Sequence, residues 1–166
     1  EAVGVREPSV YHFFKNREAL VEAAHIERYR RSYVEMVRPF EAGAALSDSA
    51  EDFRRIVERI LTLAYQQNRE KIRSVRISVM GAAQSSDSVA EAVNQINYEI
   101  CSGIAVVLTT AQEKKWMRQD IDPLASAYWI VGQIMGRVVA EMDQDRVNLE
   151  HWNEASRSAI VHHLFG

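Results

Sequence analysis

Gly4-Val5-Arg6-Glu7-Pro8-Ser9-Val10-Tyr11-His12-Phe13-Phe14-Lys15-Asn16-Arg17-Glu18-Ala19-Leu20 is the densest run of structural signals in the chain. Gly4 lets the backbone turn sharply, as a junction between two helices requires. Residues 7–13 then read as a short helix, with Pro8 acceptable because it falls in the first turn. Val5, Val10 and Phe14 are the apolar residues that would hold so short an element against its neighbours. Lys15-Asn16 makes a turn, and Asn16 is a good N-cap for a long helix beginning at Arg17.

Outward from this stretch, nearly every segment has helical periodicity. The helix from Asn16 carries Ala19, Leu20, Ala23, Ala24, Ile26, Tyr29, Tyr33 and Val37, and Pro39 is expected to stop it near Arg38. Residues 40–47 read as a Gly/Ala/Ser connection. Ser47-Asp48-Ser49-Ala50-Glu51-Asp52 caps a helix with Phe53, Ile56, Val57, Ile60, Leu61 and Ala64 on one face. A shorter helix is expected from about Arg69 to Met80, punctuated by Gly81. Ser85-Ser86-Asp87-Ser88 starts a long one striped by Val89, Val93, Ile96, Ile100, Ile104, Val107 and Ala111. Asp122-Pro123 is a strong start signal for a helix that is apolar almost all round, so it should be buried on two sides. Asn148 caps the last helix, which carries Leu149, Trp152, Ala155, Ala159, Ile160 and Leu164. With only 7 Gly and 3 Pro, and no repeat or convincing strand, the expected fold class is all-α.

Composition narrows function mainly by exclusion. One cysteine, Cys101, allows no internal disulfide and no multi-cysteine zinc site. Without a signal peptide or bilayer-length apolar run, a cytoplasmic protein with no membrane partner is expected. Glu22-Ala23-Ala24-His25 has the Glu-x-x-His spacing of di-iron bundles, yet no second copy accompanies it. His162 and His163 are adjacent and point to different sides of a helix. No phosphate loop or nucleophile elbow occurs, so neither an enzyme nor a cofactor or metal site is expected. Net charge is −3, split as +1 over residues 1–38 and −4 over residues 39–166. Arg6, Lys15 and Arg17 outweigh Glu7 in the stretch quoted first, a faint electrostatic footprint for nucleic acid.

Gly4-Val5, Val10-Tyr11-His12-Phe13-Phe14 and Arg17-Glu18-Ala19-Leu20 resemble the second half of the TetR-family helix-turn-helix. That family has a Gly-Val turn, a short recognition helix ending in Tyr-His or Tyr-x-Phe, a polar turn, then a basic residue, Glu, any residue and Leu. The resemblance covers about twenty residues, and the order and lengths of the later helices are also similar. Departures are Arg6 where the family usually has Ser or Thr, Pro8 where it has Gly or Ala, and Arg17 where it has Lys. The chain begins at Glu1 without Met, and the first half of the reader would precede it.

The resemblance implies a homodimeric transcriptional regulator, a repressor released from operator DNA by a small-molecule effector. It divides the chain into residues 1–38, the partial DNA-reading domain with its connecting helix, and residues 39–166, the effector-binding and dimerisation domain. Arg6, Glu7, Pro8, Ser9, Tyr11, His12 and Arg17 become the DNA-contacting set. Tyr11 and His12 are placed to reach phosphate oxygens, Arg6 a phosphate or guanine edge, and Glu7 a cytosine amino group. Arg17 adds its charge to the free N–H groups of a helix start.

Helices between about 48 and 140 would enclose the effector, and the last two would pair with a second subunit. Arg76 beside Ile72, Val75 and Val79, and Asn97 in line with Val93, Ile100 and Ile104, are candidate polar anchors in apolar walls. Tyr65, Tyr98, Trp129 and Gln133 join them. Each has a structural alternative: Arg76 as a snorkelling surface arginine, Asn97 and Tyr98 as structural hydrogen bonders, the aromatics as core. Candidates for the subunit interface are Tyr128, Gly132, Met135, Val139, Trp152, Ala155, Ala159 and His163. Gly132-x-x-x-Gly136 permits close helix approach, within the subunit or across a dimer. The rival to the whole reading is a helical ligand-binding or scaffold protein that never touches DNA.

Overall fold

The computed structural model describes residues 13–166. Six α-helices follow one another: α1 (Arg17–Ala45), α2 (Ala50–Ala64), α3 (Glu70–Ala82), α4 (Asp87–Glu113), α5 (Pro123–Glu141) and α6 (Leu149–Phe165), with one 3₁₀ turn (Gln67–Arg69) before α3. Among the described residues there is no strand, and the fold is all-α.

Polar side chains start five of the six helices, each accepting from backbone N–H groups that have no partner in the first turn. Asn16 Oδ1 accepts from Ala19 N at 2.8 Å, and Asp122 Oδ1 from Ala125 N at 2.6 Å, ahead of Pro123 at the helix start. Ser49 Oγ accepts from Asp52 N while donating to the Asp52 carboxylate at 2.7 Å, a reciprocal cap. Ser86 caps α4, and Asn148 takes two N–H groups at the start of α6.

Two boundaries differ from the sequence reading. Pro39 does not stop α1, which runs on to Ala45, so residues 40–45 are helix rather than connection. The division expected at residues 38 and 39 therefore falls inside a continuous helix. A proline in a helix interior removes one backbone hydrogen bond and costs about 3 kcal/mol. Here tertiary packing offsets it: Phe40 is buried against Phe53 of α2, with ring centroids 6.4 Å apart. Gly43 meets Ile56 so closely that an added Cβ would lie 3.1 Å from its side chain. The second boundary is minor. Gly81 lies inside the last turn of α3, where Ala83 N still donates to Val79 O at 3.0 Å.

Packing gathers into two cores. The first is built by Phe40, Phe53, Val57, Leu61, Leu108, Ala111, Met117, Ile130, Ile160 and Leu164, from α1, α2, α4, α5, α6 and the α4–α5 loop. The second joins Tyr29 and Tyr33 of α1 to Val79 of α3 and Val89, Val93 and Ile96 of α4. α1 belongs to both, and contacts α2, α3 and α4 along its length.

A buried ion cluster joins four of these helices. Arg73 of α3 is 1% exposed and donates through Nε to Glu141 of α5 at 3.0 Å. Its Nη1 donates to Ala64 O at 2.7 Å, and its Nη2 to Gln66 O, satisfying carbonyls left open at the end of α2. Arg137 also donates to Glu141, and to Asn153 Oδ1 of α6 at 2.7 Å. One carboxylate thus holds two guanidinium groups and ties α2, α3, α5 and α6 together. Removing one member of a buried charge set typically costs about 3–5 kcal/mol, because the remaining charges cannot return to water. Glu141→Gln should therefore lower stability by about 3 kcal/mol or more, read from urea unfolding midpoints. An unchanged midpoint would show that the cluster contributes nothing to the fold.

Candidate functional site: a helix-walled cavity and an open helical face

A mainly apolar space lies where residues of the two cores face each other, walled by the six helices of the described residues. The space that water-sized spheres can occupy within it is about 80 Å³, and about 840 Å³ when the gaps between its wall atoms and the solvent at its mouth are counted. Val57, Ile60, Leu61 and Ala64 of α2, Ile104 and Leu108 of α4, and Ile130, Val131 and Ile134 of α5 supply most of the surface. Ile160 and Leu164 of α6 complete the aliphatic part. α1 contributes Tyr33, Val37 and Phe40, α3 contributes Ile72, Arg73 and Arg76, and the 3₁₀ turn before α3 contributes Arg69. An apolar wall with few polar groups is the chemistry of a small-molecule site.

The polar groups sit on one side of this space. Arg76 is 5% exposed, and so is buried rather than snorkelling. Its Nε donates to Ser32 Oγ at 2.9 Å and its Nη2 to the Ser32 carbonyl of α1. Its guanidinium lies 3.7 Å from the centroid of the Tyr33 ring. Burial pulls Arg76 below the ordinary arginine range, while the Tyr33 and Tyr29 hydroxyls oppose that shift. Tyr33 is pushed above the ordinary phenol range, chiefly by burial, and its hydroxyl is 3.3 Å from that of Tyr29.

Of the residues expected to meet an effector, only Arg76 lines the cavity. Tyr65 is buried elsewhere, sharing a 2.7 Å hydrogen bond with Ser156 and stacking edge-on with Trp152. Asn97 accepts from Tyr29 Oη at 2.7 Å and serves the second core. Tyr98 is 55% exposed, Trp129 faces the surface beside His163, and Gln133 is half-buried outside the lining. Helical periodicity places these side chains near the apolar stripes without saying which side of the stripe faces the void. Conversely, Arg69, Arg73 and Tyr33 line the cavity without belonging to the expected effector set. Arginines at positions 69, 73 and 76 have the spacing of one helical face, which was a readable signal of a cationic wall.

The reader stretch is described only in part. Arg6, Glu7, Pro8, Ser9, Tyr11 and His12 lie outside the described residues. Arg17 opens α1 and is exposed, with Asn16 capping beside it. The Glu22 carboxylate accepts from Ser86 and Ser88 hydroxyls at 2.6 and 3.0 Å, binding the start of α1 to the start of α4. Among the described residues no group of three or more His, Cys, Asp or Glu is placed to hold a metal. Cys101 is buried, and burial pushes its thiol up to about 11.

A second feature is the outer face of α5 and α6. Tyr128, Gly132, Gly136 and Val139 lie exposed along α5, followed by Met142, while Ala155 and Ala159 are exposed on α6. A Cβ added to Gly132 or Gly136 would meet nothing within 4 Å, so neither glycine serves packing inside the chain. Other interface candidates point inward: Met135 is buried and accepts a 3.5 Å hydrogen bond from Tyr33, and Trp152 packs on Tyr65. His163 is half-buried, 2.9 Å from Ser126 Oγ and against the Trp129 ring.

The six helices of the described residues, in this order, have the fold of TetR-type transcriptional regulators. A TetR-family transcriptional regulator from Rhodococcus sp. superposes with a TM-score of 0.68 over 95% of this chain and 80% of its own, at 19% identity. The fatty acid degradation regulator FadR from Bacillus halodurans gives 0.62 over 96% and 80%, at 15% identity. FadR from Bacillus subtilis, solved in complex with stearoyl-CoA, gives 0.62 over 95% and 82%, at 17% identity. No family model matches the sequence, and no curated protein matches it. At these identities the likeness is one of fold. Among the described residues, no helix is long and apolar enough to cross a membrane.

His163 makes a pH test of the α5–α6 packing. Burial, and secondly the charge of Arg118, hold its imidazole below 6.5, with Asp120 opposing. The folded chain thus binds this proton less readily than the unfolded one. Its contribution is complete above pH 6.5 and is lost as the pH falls through the lowered value. Acidification from neutrality should lower the urea midpoint more in the native sequence than in His163→Gln; equal falls would remove His163 as a cause.

Proposed function

We propose that this chain is the sensing and dimerising part, with part of the reader, of a homodimeric DNA-binding transcriptional regulator. In this reading it is a repressor, released from its operator by a small molecule held between the helices, and it works in the cytoplasm. The observation that carries the reading is the double duty of α1. It begins at Arg17, immediately after the reader motif, and it forms part of the cavity wall through Tyr33, Val37 and Phe40. Whatever fills the cavity presses on the helix that carries the reader.

Two recognition helices must stand about 34–36 Å apart to meet successive major grooves. A tilt of α1 in each subunit changes that distance, so an effector that prefers the tilted form lowers operator affinity. The Bacillus subtilis FadR neighbour was solved with stearoyl-CoA. An effector with a substantial hydrocarbon portion also suits the aliphatic lining here. The exposed face of α5 and α6 supports pairing: its two glycines allow another helix to approach closely, and Tyr128 and Val139 supply apolar area that a partner would cover.

The complete protein should retard DNA from its own upstream promoter in a gel, with retention that is sequence-specific and weakens steeply with salt. Tyr11→Phe and Arg17→Ala should each weaken retention about fivefold or more, the loss expected for one phosphate hydrogen bond or ion contact. Absence of specific retention would instead indicate a helical binding protein with no DNA role. Separately, sedimentation of the native chain should give a dimer, and Val139→Glu should shift it toward monomer. A native monomer would overturn the dimer assignment.

A further inference from the structure

Two buried arginines of α3, Arg73 and Arg76, face one cavity, with the half-buried Arg69 of the preceding 3₁₀ turn beside them. Arg73 is answered by Glu141, but that carboxylate also answers Arg137. Arg76 is answered by no carboxylate among the described residues: its hydrogen-bond partners are the hydroxyl and carbonyl of Ser32. The charged groups acting on it are Arg69 and Arg73, which are cations themselves. A buried cation without a counter-ion is costly, and functional sites are where such costs recur.

Geometry shows what would relieve it. A guanidinium has five N–H donors, and Ser32 uses two of those on Arg76. The Tyr33 ring, 3.7 Å away, holds the guanidinium plane in place. Beyond it the cavity turns aliphatic, toward Phe40, Leu108, Ile160 and Leu164 of the first core. The void therefore has a cationic end near the second core and a hydrocarbon end in the first.

We propose that the cavity takes a carboxylate-headed amphiphile, with the head group paired to Arg76 inside the protein and the hydrocarbon tail lying among α2, α4, α5 and α6. This rests on the cavity being the effector site proposed above. It differs from simple transfer of the FadR ligand, because a bulky, highly charged nucleotide head has no place beside a guanidinium that is 5% exposed. A planar carboxylate fits the guanidinium fork with two charge-assisted hydrogen bonds. The head takes donors that Ser32 leaves free, so the same guanidinium joins the ligand to the middle of α1.

The test is calorimetric titration of the purified chain with decanoate, decanol and decanoyl-CoA. Decanoate should bind about tenfold or more tighter than decanol, and decanoyl-CoA no tighter than decanol. Arg76→Met, which keeps the side-chain bulk, should erase the preference by weakening decanoate about tenfold while leaving decanol unchanged. The comparison of probes on the native chain stands even if that variant fails to fold. Equal affinity for acid and alcohol, tightest binding of decanoyl-CoA, a preference that survives Arg76→Met, or no binding of any probe would each overturn the proposal. Operator retention by the complete protein is read independently. A decanoate preference without retention upholds this assignment and sinks the regulator, and retention without the preference does the reverse.

Discussion

Guanidinium groups inside a hydrocarbon bundle impose a constraint that organises most of this molecule. A buried charge must find hydrogen-bond partners in nearly fixed geometry, whereas aliphatic side chains accept many packings. Arg73 therefore needs the end of α2 and the carboxylate of Glu141 in particular places, and Arg137 needs the same carboxylate and Asn153. These requirements set the relative positions of α2, α3, α5 and α6. Arg76, bonded to Ser32, does the same for α1 against α3.

The cavity adjoins that arrangement, with Arg73 and Arg76 in its wall. The aliphatic residues divide into two cores, one toward the end of α1 and one around its middle. Arg73 of the polar cluster, with Arg76, lines the space where residues of the two cores face each other. α1 spans both cores because Pro39 sits within it and is tolerated, since Phe40 and Gly43 dock on α2. Had the helix ended at Pro39, the segment joining the motif at Arg17 to the far core would have been a loop. A continuous helix instead joins the residues that follow the Gly4–Asn16 stretch to both cores.

The outer face of α5 and α6 follows a different logic. α5 is apolar on nearly every side, yet its inner side alone satisfies the core, through Ala127, Ile130 and Met135. The other side leaves Tyr128 and Val139 in water beside two glycines that contact nothing. Glycines in a helix interior lower its stability, and here no packing inside the chain compensates. Ile130, Val131 and Ile134 of α5 line the cavity while Tyr128 and Val139 are exposed, so one helix separates the cavity from this open face.

By itself, the sequence determined the elements: caps at Asn16, Ser49, Ser86, Asp122 and Asn148, and helical periodicity that admits no strand. These are local effects, set by side chains satisfying backbone groups within a turn, and so they are legible in a single chain. The family likeness in Gly4–Leu20 was legible for the same reason, as a dense motif of neighbouring residues. Only the tertiary structure decided that Pro39 lies inside a helix, that Arg76 is buried while Tyr98 is not, and that Met135 faces inward from a helix apolar all round. Each of these depends on which neighbouring helix a given face meets. That is fixed by contacts between residues far apart in the chain, and periodicity along one helix carries no information about them.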